Sequence, residues 1–493
     1  MSSFGAKLHE ETKYNVLNRQ LTKPLLLNKL EVVGGDFSDK YYENLVEKLL
    51  PNQSDKLSNI LSLQSLNDEL LNIEKSLLYT GLFSNISIDL DLDEALTTPL
   101  LKSQSQYQGL IPVKAKFSLT QLPIFKYSSY STSQDTGSGF GFRYLDPNFL
   151  KNSSSLLIDV NLNYDILSNT LNSKLWDLNI LLPLAKLPTF RAIFNPSISL
   201  IDASEWSSHE QYNVGSFVGL QSTQLSQNNA IKIITGGISF TSRQVRQISN
   251  SASDSIRTFA GDDFKIGSQF NYKVDSRQLQ GKFVKNGYLL DFTNEYAGSN
   301  SIDSFSKASN DSKKNIELYN FNKSIFKFDL SKSFIKDIFT ANFNFETGHI
   351  IDFSNNRLHI LDKFFLGGNE SLKGFNLNSV GLKDGNDSIG GTSVFRANFQ
   401  LFSRIPNISK DSPLRLYNFF NIGDNFNFSS FNQFTNLFTS GDIINKSASA
   451  VGVGILYKAN NATFDLSYNV PLSARVQESS KPGFSISATL NFF

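Results

Sequence analysis

Side chains able to carry covalent or metal chemistry are few in this sequence and poorly spaced for it. The 493 residues include no cysteine, which removes thiolate catalysis, disulfides and Cys-based zinc sites. The four histidines, His9, His209, His349 and His359, stand at no metal-ligand spacing, and surface or loop positions are expected for each. No glycine-rich segment has the spacing of a nucleotide loop, and no nucleophile stands beside a base. Asp89, Asp91, Asp93 and Glu94 form an acidic run without the glycine turn and distal carboxylate of a calcium loop. That run reads as a solvated strand end or as a docking edge for basic segments. With 46 basic and 45 acidic residues the net charge is +1, so no nucleic-acid partner is expected. Neither an enzyme, a metal nor a cofactor is expected. What remains is the chemistry of backbone hydrogen bonding. One segment stands out for it, LGGNESLKGF at 366–375. Gly367, Gly368 and Gly374 permit a tight backbone at positive φ, Lys373 supplies a charge and Phe375 an aromatic anchor. Such a segment suits a loop folded back into a polar cavity.

The elements around it are strands. From Pro123 to Phe493 apolar and polar residues alternate with period two. Ile158, Val160, Leu162 and Tyr164 alternate with Asp159, Asn161 and Asn163, and Phe464, Leu466, Tyr468 and Val470 with Asp465, Ser467 and Asn469. Similar runs lie at 326–331, 339–346, 395–401 and 486–492. The series is longer than the ~200–250 residues of one soluble β domain. Its polar faces mix Asn, Ser, Asp, Arg and Gln, as a wet lumen requires. No apolar stretch approaches the ~20 residues of a membrane helix, and a backbone in lipid must be fully paired. The reading is a transmembrane antiparallel β-barrel of about sixteen strands. Loops are expected at 250–254, 299–315 and 426–445. The last, rich in Phe and Asn, reads as a partner-binding or lipid-dipping loop or as aromatic strands at the membrane girdle.

The preceding residues follow another pattern. Lys29–Val33 reads as a strand ending at Gly34 and Gly35, then Tyr42, Leu45, Val46, Leu49 and Leu50 recur at helical spacing up to Pro51. Ser65 and Asp68 have the capping-box spacing ahead of the stripe Leu66, Leu70, Ile73 and Leu77, and Gly81 suits the helix end. Strands follow at 85–92 and 111–119. The domains are thus an extension over 1–24, a small α+β domain over 25–122 and the barrel over 123–493. The N-terminal residues carry no apolar core or cleavage site and include Glu10 and Glu11. An organelle outer membrane reached from the cytosol is therefore expected.

LYTGLFSNISIDLDL at 78–92 resembles the polypeptide-transport-associated (POTRA) domain. The 366–375 loop resembles the lumenal loop with an Arg-Gly-Phe or Arg-Gly-Tyr core that marks the outer-membrane barrel-assembly family, which includes BamA. The segments 390–406, 416–425 and 449–472 and the terminal aromatic resemble that family's last strands. A single POTRA-like domain, no signal peptide and Asn421-Ile422-Gly423 point to its mitochondrial branch, the barrel subunit of the sorting and assembly machinery. The family's loop arginine is Lys373 here, and the wall aspartate it meets aligns with Asn421. A lysine is a point charge without a bidentate fork. The expected contact is a Lys373–Asn421 hydrogen bond or a pairing with another acid such as Asp424.

The resemblance implies an insertase of the mitochondrial outer membrane, its POTRA-like domain in the intermembrane space. Its partners would be β-barrel precursors with a terminal β-signal strand, accessory subunits on the cytosolic face, a possible second barrel protein and outer-membrane lipids. It also implies a lateral gate between the first strand (Ile124, Phe125, Lys126, Tyr127, Ser128, Ser129, Tyr130) and the last (Gly483, Ser485, Ile486, Ser487, Ala488, Leu490). An opened seam bares two edges that template another strand. The 481–488 segment reads equally as a plain lipid-facing strand. A passive pore and a protein-translocating channel are the competing readings.

Overall fold

A computed structural model gives the fold and describes residues 24–46, 60–78, 82–92, 111–121, 127–134, 137–165, 170–184, 187–226, 230–302, 316–354, 358–406, 408–409, 411–428 and 447–492. The chain divides into two compact units. In the first, β1 (Pro24–Val33), α1 (Asp39–Val46), β2 (Ile60–Ser62), α2 (Leu63–Leu78), β3 (Phe83–Leu92) and β4 (Ile111–Gln121) form a four-stranded sheet in the order β2-β1-β4-β3. Leu66, Leu70, Ile73 and Leu77 of α2 are buried against Leu27, Ile86, Ala115 and Phe117 of the sheet. The stripe expected for the second helix is therefore its core face. The cap differs from expectation: it lies three residues earlier, where Ser62 Oγ accepts the Ser65 N–H at 3.1 Å. Ser65 stands three residues past the cap, and its own hydroxyl donates to Ser62 O. Gly34 ends β1 at φ +91° with no space for a Cβ against Leu119 O. Residues 47–59 and Gly81, parts of the expected first helix and of the second helix's end, lie outside the described residues.

The second unit is a closed antiparallel barrel of sixteen spanning strands. They are β5 (Tyr127–Gln134), β6 (Gly137–Asp146), β7 (Ser155–Asp165), β8 (Thr170–Leu184), β9 (Leu187–Asp202), β10 (Glu210–Leu225), β11 (Ile231–Arg246) and β12 (Gly261–Asp275). After a three-residue rung, β13 (Gln278–Gln280), come β14 (Phe283–Ile302), β15 (Ile316–Phe334) and β16 (Phe339–Asp352). The set ends with β19 (Ser393–Ser403), β20 (Leu414–Phe426), β21 (Ala448–Lys458), β22 (Ala462–Ser473) and β23 (Gly483–Phe492). The long β16–β19 connection holds a 3-10 turn (Ile360–Asp362) and a small hairpin of β17 (Lys383–Asp384) and β18 (Asp387–Ser388). The loop expected at 250–254 leads into a short helix α3 (Asp254–Arg257) between β11 and β12. Of the long loop expected at 426–445, residues 429–445 lie outside the described residues.

Alternation decides which side of the wall each residue takes. Phe464, Leu466, Tyr468 and Val470 are 42, 40, 45 and 42% exposed. Such a continuous exposed apolar belt fits lipid, not water. Among the described residues no helix is long and apolar enough to cross a membrane. The inner side is less wet than a polar lining implies. Phe364, Leu366, Leu372, Phe375 and Val380 of the β16–β19 loop pack with Ala297, Phe321, Val394, Ala448 and Ala450 of the wall into an apolar cluster.

Candidate functional site: the lumenal loop and the barrel seam

The glycines of 366–375 adopt the backbone their type allows. Gly367, Gly368 and Gly374 have φ of +125, +100 and +89°. A Cβ on Gly374 would lie 2.9 Å from Ala450 Cβ, so the loop touches the wall at bare backbone. Phe375 is buried and bridges Ser480, and Lys481 N donates to Gly374 O at 2.7 Å. Asn376 N donates to Ser479 O at 3.0 Å, and Ser379 Oγ donates to the same oxygen at 3.0 Å. The loop therefore lines residues 479–481, which lead into the last strand. It also reaches that strand directly, Ser485 Oγ donating to Asn369 Oδ1 at 2.8 Å.

Lys373 pairs with an acid, the second of the expected contacts, but with Asp465 and not Asp424. Its ammonium lies 2.6 Å from Asp465 Oδ2 on β22 and donates to Tyr417 Oη at 2.6 Å, while Tyr417 Oη donates to Asp465 Oδ1 at 2.5 Å. It also lies over the Tyr417 and Phe419 rings, 5.0 and 5.6 Å from their centroids. Asn421 does meet the loop, but by donating Nδ2 to the Lys373 backbone oxygen at 3.1 Å, while its Oδ1 accepts Ala450 N. Asp424 is taken by Arg475, whose backbone N–H donates to Glu478. The reason is reach: the ammonium points along the wall to β22, leaving only its carbonyl for Asn421. In the sequence Asp465 was visible only as one polar residue in an alternating strand, and Tyr417 as one aromatic in LYNFFN.

A second cluster had no signal in the sequence. Arg243, Lys265, Lys323, Asp263 and Glu295 project inward from β11, β12, β14 and β15 and surround Asp362 of the loop. Its members are far apart along the chain, so only barrel closure brings them together. His359, beside it, is fully buried, as is His209, whereas His349 sits on β16 with Nδ1 2.7 Å from Ser393 Oγ. His209 and His359 thus hold the loop positions expected, but buried ones, whereas His349 departs from the expectation by lying in a strand; His9 lies outside the described residues. The acidic run is likewise matched: Asp89 and Asp91 face Lys116 and Lys114 across β3–β4, Asp91 and Lys114 at 3.4 Å. Asp93 and Glu94 lie outside the described residues.

First and last strands meet. Ala488, Thr489, Leu490, Asn491 and Phe492 pair with Ser133, Thr132, Ser131, Tyr130 and Ser129. Among the described residues this ladder has five residue pairs, against eight in β22–β23 and eight in β5–β6. On the far wall β10–β11 has 16. Gly483 to Ser487 extend past the seam ladder. Asn491 N donates to Asn461 O on the β22 side. Edges alternate along a strand, so Phe484 and Ile486 turn their backbone groups to the seam. Both side chains face outward, 71 and 58% exposed. Tyr127 and Ser128 continue β5 past its last seam pair; Ile124, Phe125 and Lys126 lie outside the described residues. Inside, Tyr130 lies over Gly141 and donates to Asp159 at 2.9 Å, which fastens β5 to β6 and β7.

Among the described residues no group of three or more His, Asp or Glu side chains is arranged to hold a metal. Comparison with known proteins agrees with this architecture. The family model of the Omp85 superfamily domain matches residues 125–492. A SAM50-like protein of Schizosaccharomyces pombe is 27% identical over 326 residues, 66% of this chain and 64% of its own. The sorting assembly machinery 50 kDa subunit of Saccharomyces cerevisiae is 29% identical over 168 residues, 33% of this chain and 34% of its own. The chain thus spans less than two thirds of either relative. Among solved structures, BamA from Haemophilus ducreyi lacking POTRA domains 1–3 superposes with a TM-score of 0.67 at 13% identity, covering 95% of this chain and 85% of that one. With a sixteen-stranded barrel closed at a short seam and a glycine-hinged loop in its lumen, the chain belongs to the Omp85 superfamily, as a mitochondrial outer-membrane β-barrel resembling the SAM50 proteins.

Proposed function

We propose that this protein folds β-barrel precursors into the mitochondrial outer membrane by pairing a precursor's terminal strand with an edge exposed at the β5–β23 seam. The N-terminal α+β domain would face the intermembrane space, and accessory subunits would sit on the cytosolic side. The observation that carries the reading is the seam ladder, with five pairs among the described residues between neighbours of eight. The wall opens where the fewest backbone bonds must break, and a bared edge in lipid has no water to satisfy it. A precursor strand supplies the missing partners by β-augmentation. Phe484 and Ile486 already carry backbone groups beyond the ladder at this edge. The loop, bonded to residues 479–481 and to Ser485, is placed to hold the last strand while the seam opens. A loop packed into the lumen by an apolar cluster and by ion pairs at Lys373 and Asp362 disfavours a passive pore.

The test is to lock the seam. Thr132 and Thr489 face each other in register, and the edge alternation makes theirs a non-hydrogen-bonded pair, the closer kind. Cysteines at both positions would be the only two in the chain. The locked protein should bind precursor yet fail to assemble it, and reduction should restore assembly. Unimpaired assembly by the oxidised protein overturns the reading.

A further inference from the structure

Ion pairs tie the loop to the wall at Lys373 and at Asp362, and only the first belongs to the motif. We propose that Asp362 is the positioning residue of the second: a buried ionic anchor that sets where the motif lies against the last strand. The inference rests on the insertase reading only for the use to which that position is put. The wall of β11, β12, β14 and β15 turns three cations, Arg243, Lys265 and Lys323, and two carboxylates, Asp263 and Glu295, toward the lumen. Three cations less two carboxylates leaves one positive charge, which Asp362 balances. Its Oδ2 lies 2.8 Å from Arg243 Nη1 and its Oδ1 3.2 Å from Lys265 Nζ, while Lys323 Nζ donates to its backbone oxygen at 2.8 Å. The wall partners are themselves tied. Arg243 pairs with Asp263, Ser299 Oγ donates to Asp263 Oδ1 at 2.6 Å, and Lys265 reaches Glu295 Oε1 at 2.8 Å.

Arg243 and Asp362 are 3 and 2% exposed, so water cannot stand in for a lost partner. Burial opposes the Asp362 charge, yet Arg243 and Lys265 hold its carboxyl well below the usual carboxylate range. The anchor is stiffly joined to the motif. His359 Nδ1 accepts Leu361 N at 3.2 Å and Lys363 N donates to Ile360 O, which fixes the turn. Phe364 then bridges Gly391, and Leu366 bridges Val380, before Asn369 meets Ser485.

Cysteines replacing Asn369 and Ser485 report the loop's position, because their parent side chains touch and the chain has no other thiol. Disulfide trapping in liposomes needs no client. A failure of the anchor is therefore distinguishable from a failure of the insertase reading, which precursor assembly in organelles reports separately. In this background Asp362→Asn should slow trapping at least about tenfold, since it strands a buried positive charge. Lys265→Met alone should also slow it, by stranding a negative one. Asp362→Asn with Lys265→Met balances the cluster and should trap faster than either single variant, which loss of a merely structural contact would not produce. Asp362→Glu should trap within about twofold of the parent. If Asp362→Asn does not yield a folded barrel, the Lys265→Met single and the double still decide. Trapping by Asp362→Asn at the parent rate, or a double slower than Lys265→Met, overturns the proposal.

Discussion

Gly374 offers the sharpest perturbation of the loop, because two independent penalties meet there. At φ +89° a side chain is strained, costing about 1–2 kcal/mol. Its Cβ would also stand 2.9 Å from Ala450 Cβ in a packed cluster, an overpacking cost of about 1–3 kcal/mol. Gly374→Ala should therefore weaken loop docking by about 2–5 kcal/mol, a shift of at least about 30-fold at the lower end. The barrel ladders lie elsewhere, so the variant should still insert and run as a folded barrel. The steric part is separable from the backbone part. Ala450→Gly removes the opposing methyl and should recover about 1–3 kcal/mol, less the ~0.5–1 kcal/mol that glycine costs within a strand. The assay is disulfide trapping between cysteines at Asn369 and Ser485, with precursor assembly measured in parallel. Trapping of Gly374→Ala at the parent rate would refute the docking geometry. A double variant no better than the single would refute the contact with Ala450.

Three further outcomes follow from the same geometry. Lys373→Met should cost about 1–3 kcal/mol of docking, because Asp465 and Tyr417 are left partly buried without their cation; adding Asp465→Asn should be far less than additive in the same trapping assay. Gly141→Val should drive the Tyr130 ring off its seat and loosen β5, costing about 1–3 kcal/mol and slowing disulfide formation between cysteines at Thr132 and Thr489. Burial, aided by Arg243, pushes the His359 imidazole down to about 4, so the folded loop binds fewer protons than the unfolded one. Its contribution is complete above pH 6.5 and lost as pH falls toward 4, on the order of 3 kcal/mol in all and about 2 by pH 5. Trapping should weaken over that window and flatten in His359→Asn; Asp362, held below the usual carboxylate range, stays charged throughout.

The alternating strands were legible because the period of two is local: Phe464, Leu466, Tyr468 and Val470 face outward as the pattern requires. The loop glycines were legible too, since few other residues tolerate positive φ. Partnership was not. Lys373 and Asp465 are separated by 92 positions, and their meeting depends on strand register and on which way an ammonium leaves the loop. Asp362 reads as an ordinary acid in LHILDKFF until closure brings Arg243 and Lys265 to it. The α2 cap moved for a local reason, as Ser62 and Ser65 both satisfy the capping preference and the hydrogen bond decides between them. The length of the seam ladder was beyond reach, because no residue type marks where pairing stops.

The most direct measurement of strand templating uses single cysteines at Tyr127 on β5 and, in a separate variant, Ser487 on β23. Each is tested in isolated organelles for disulfide formation with an arrested β-barrel precursor carrying one cysteine in its last strand. Templating predicts cross-links at Tyr127 that depend on the register of the precursor cysteine. A precursor that binds fully yet cross-links at neither position would contradict it, and would move the pathway from the seam into the lumen.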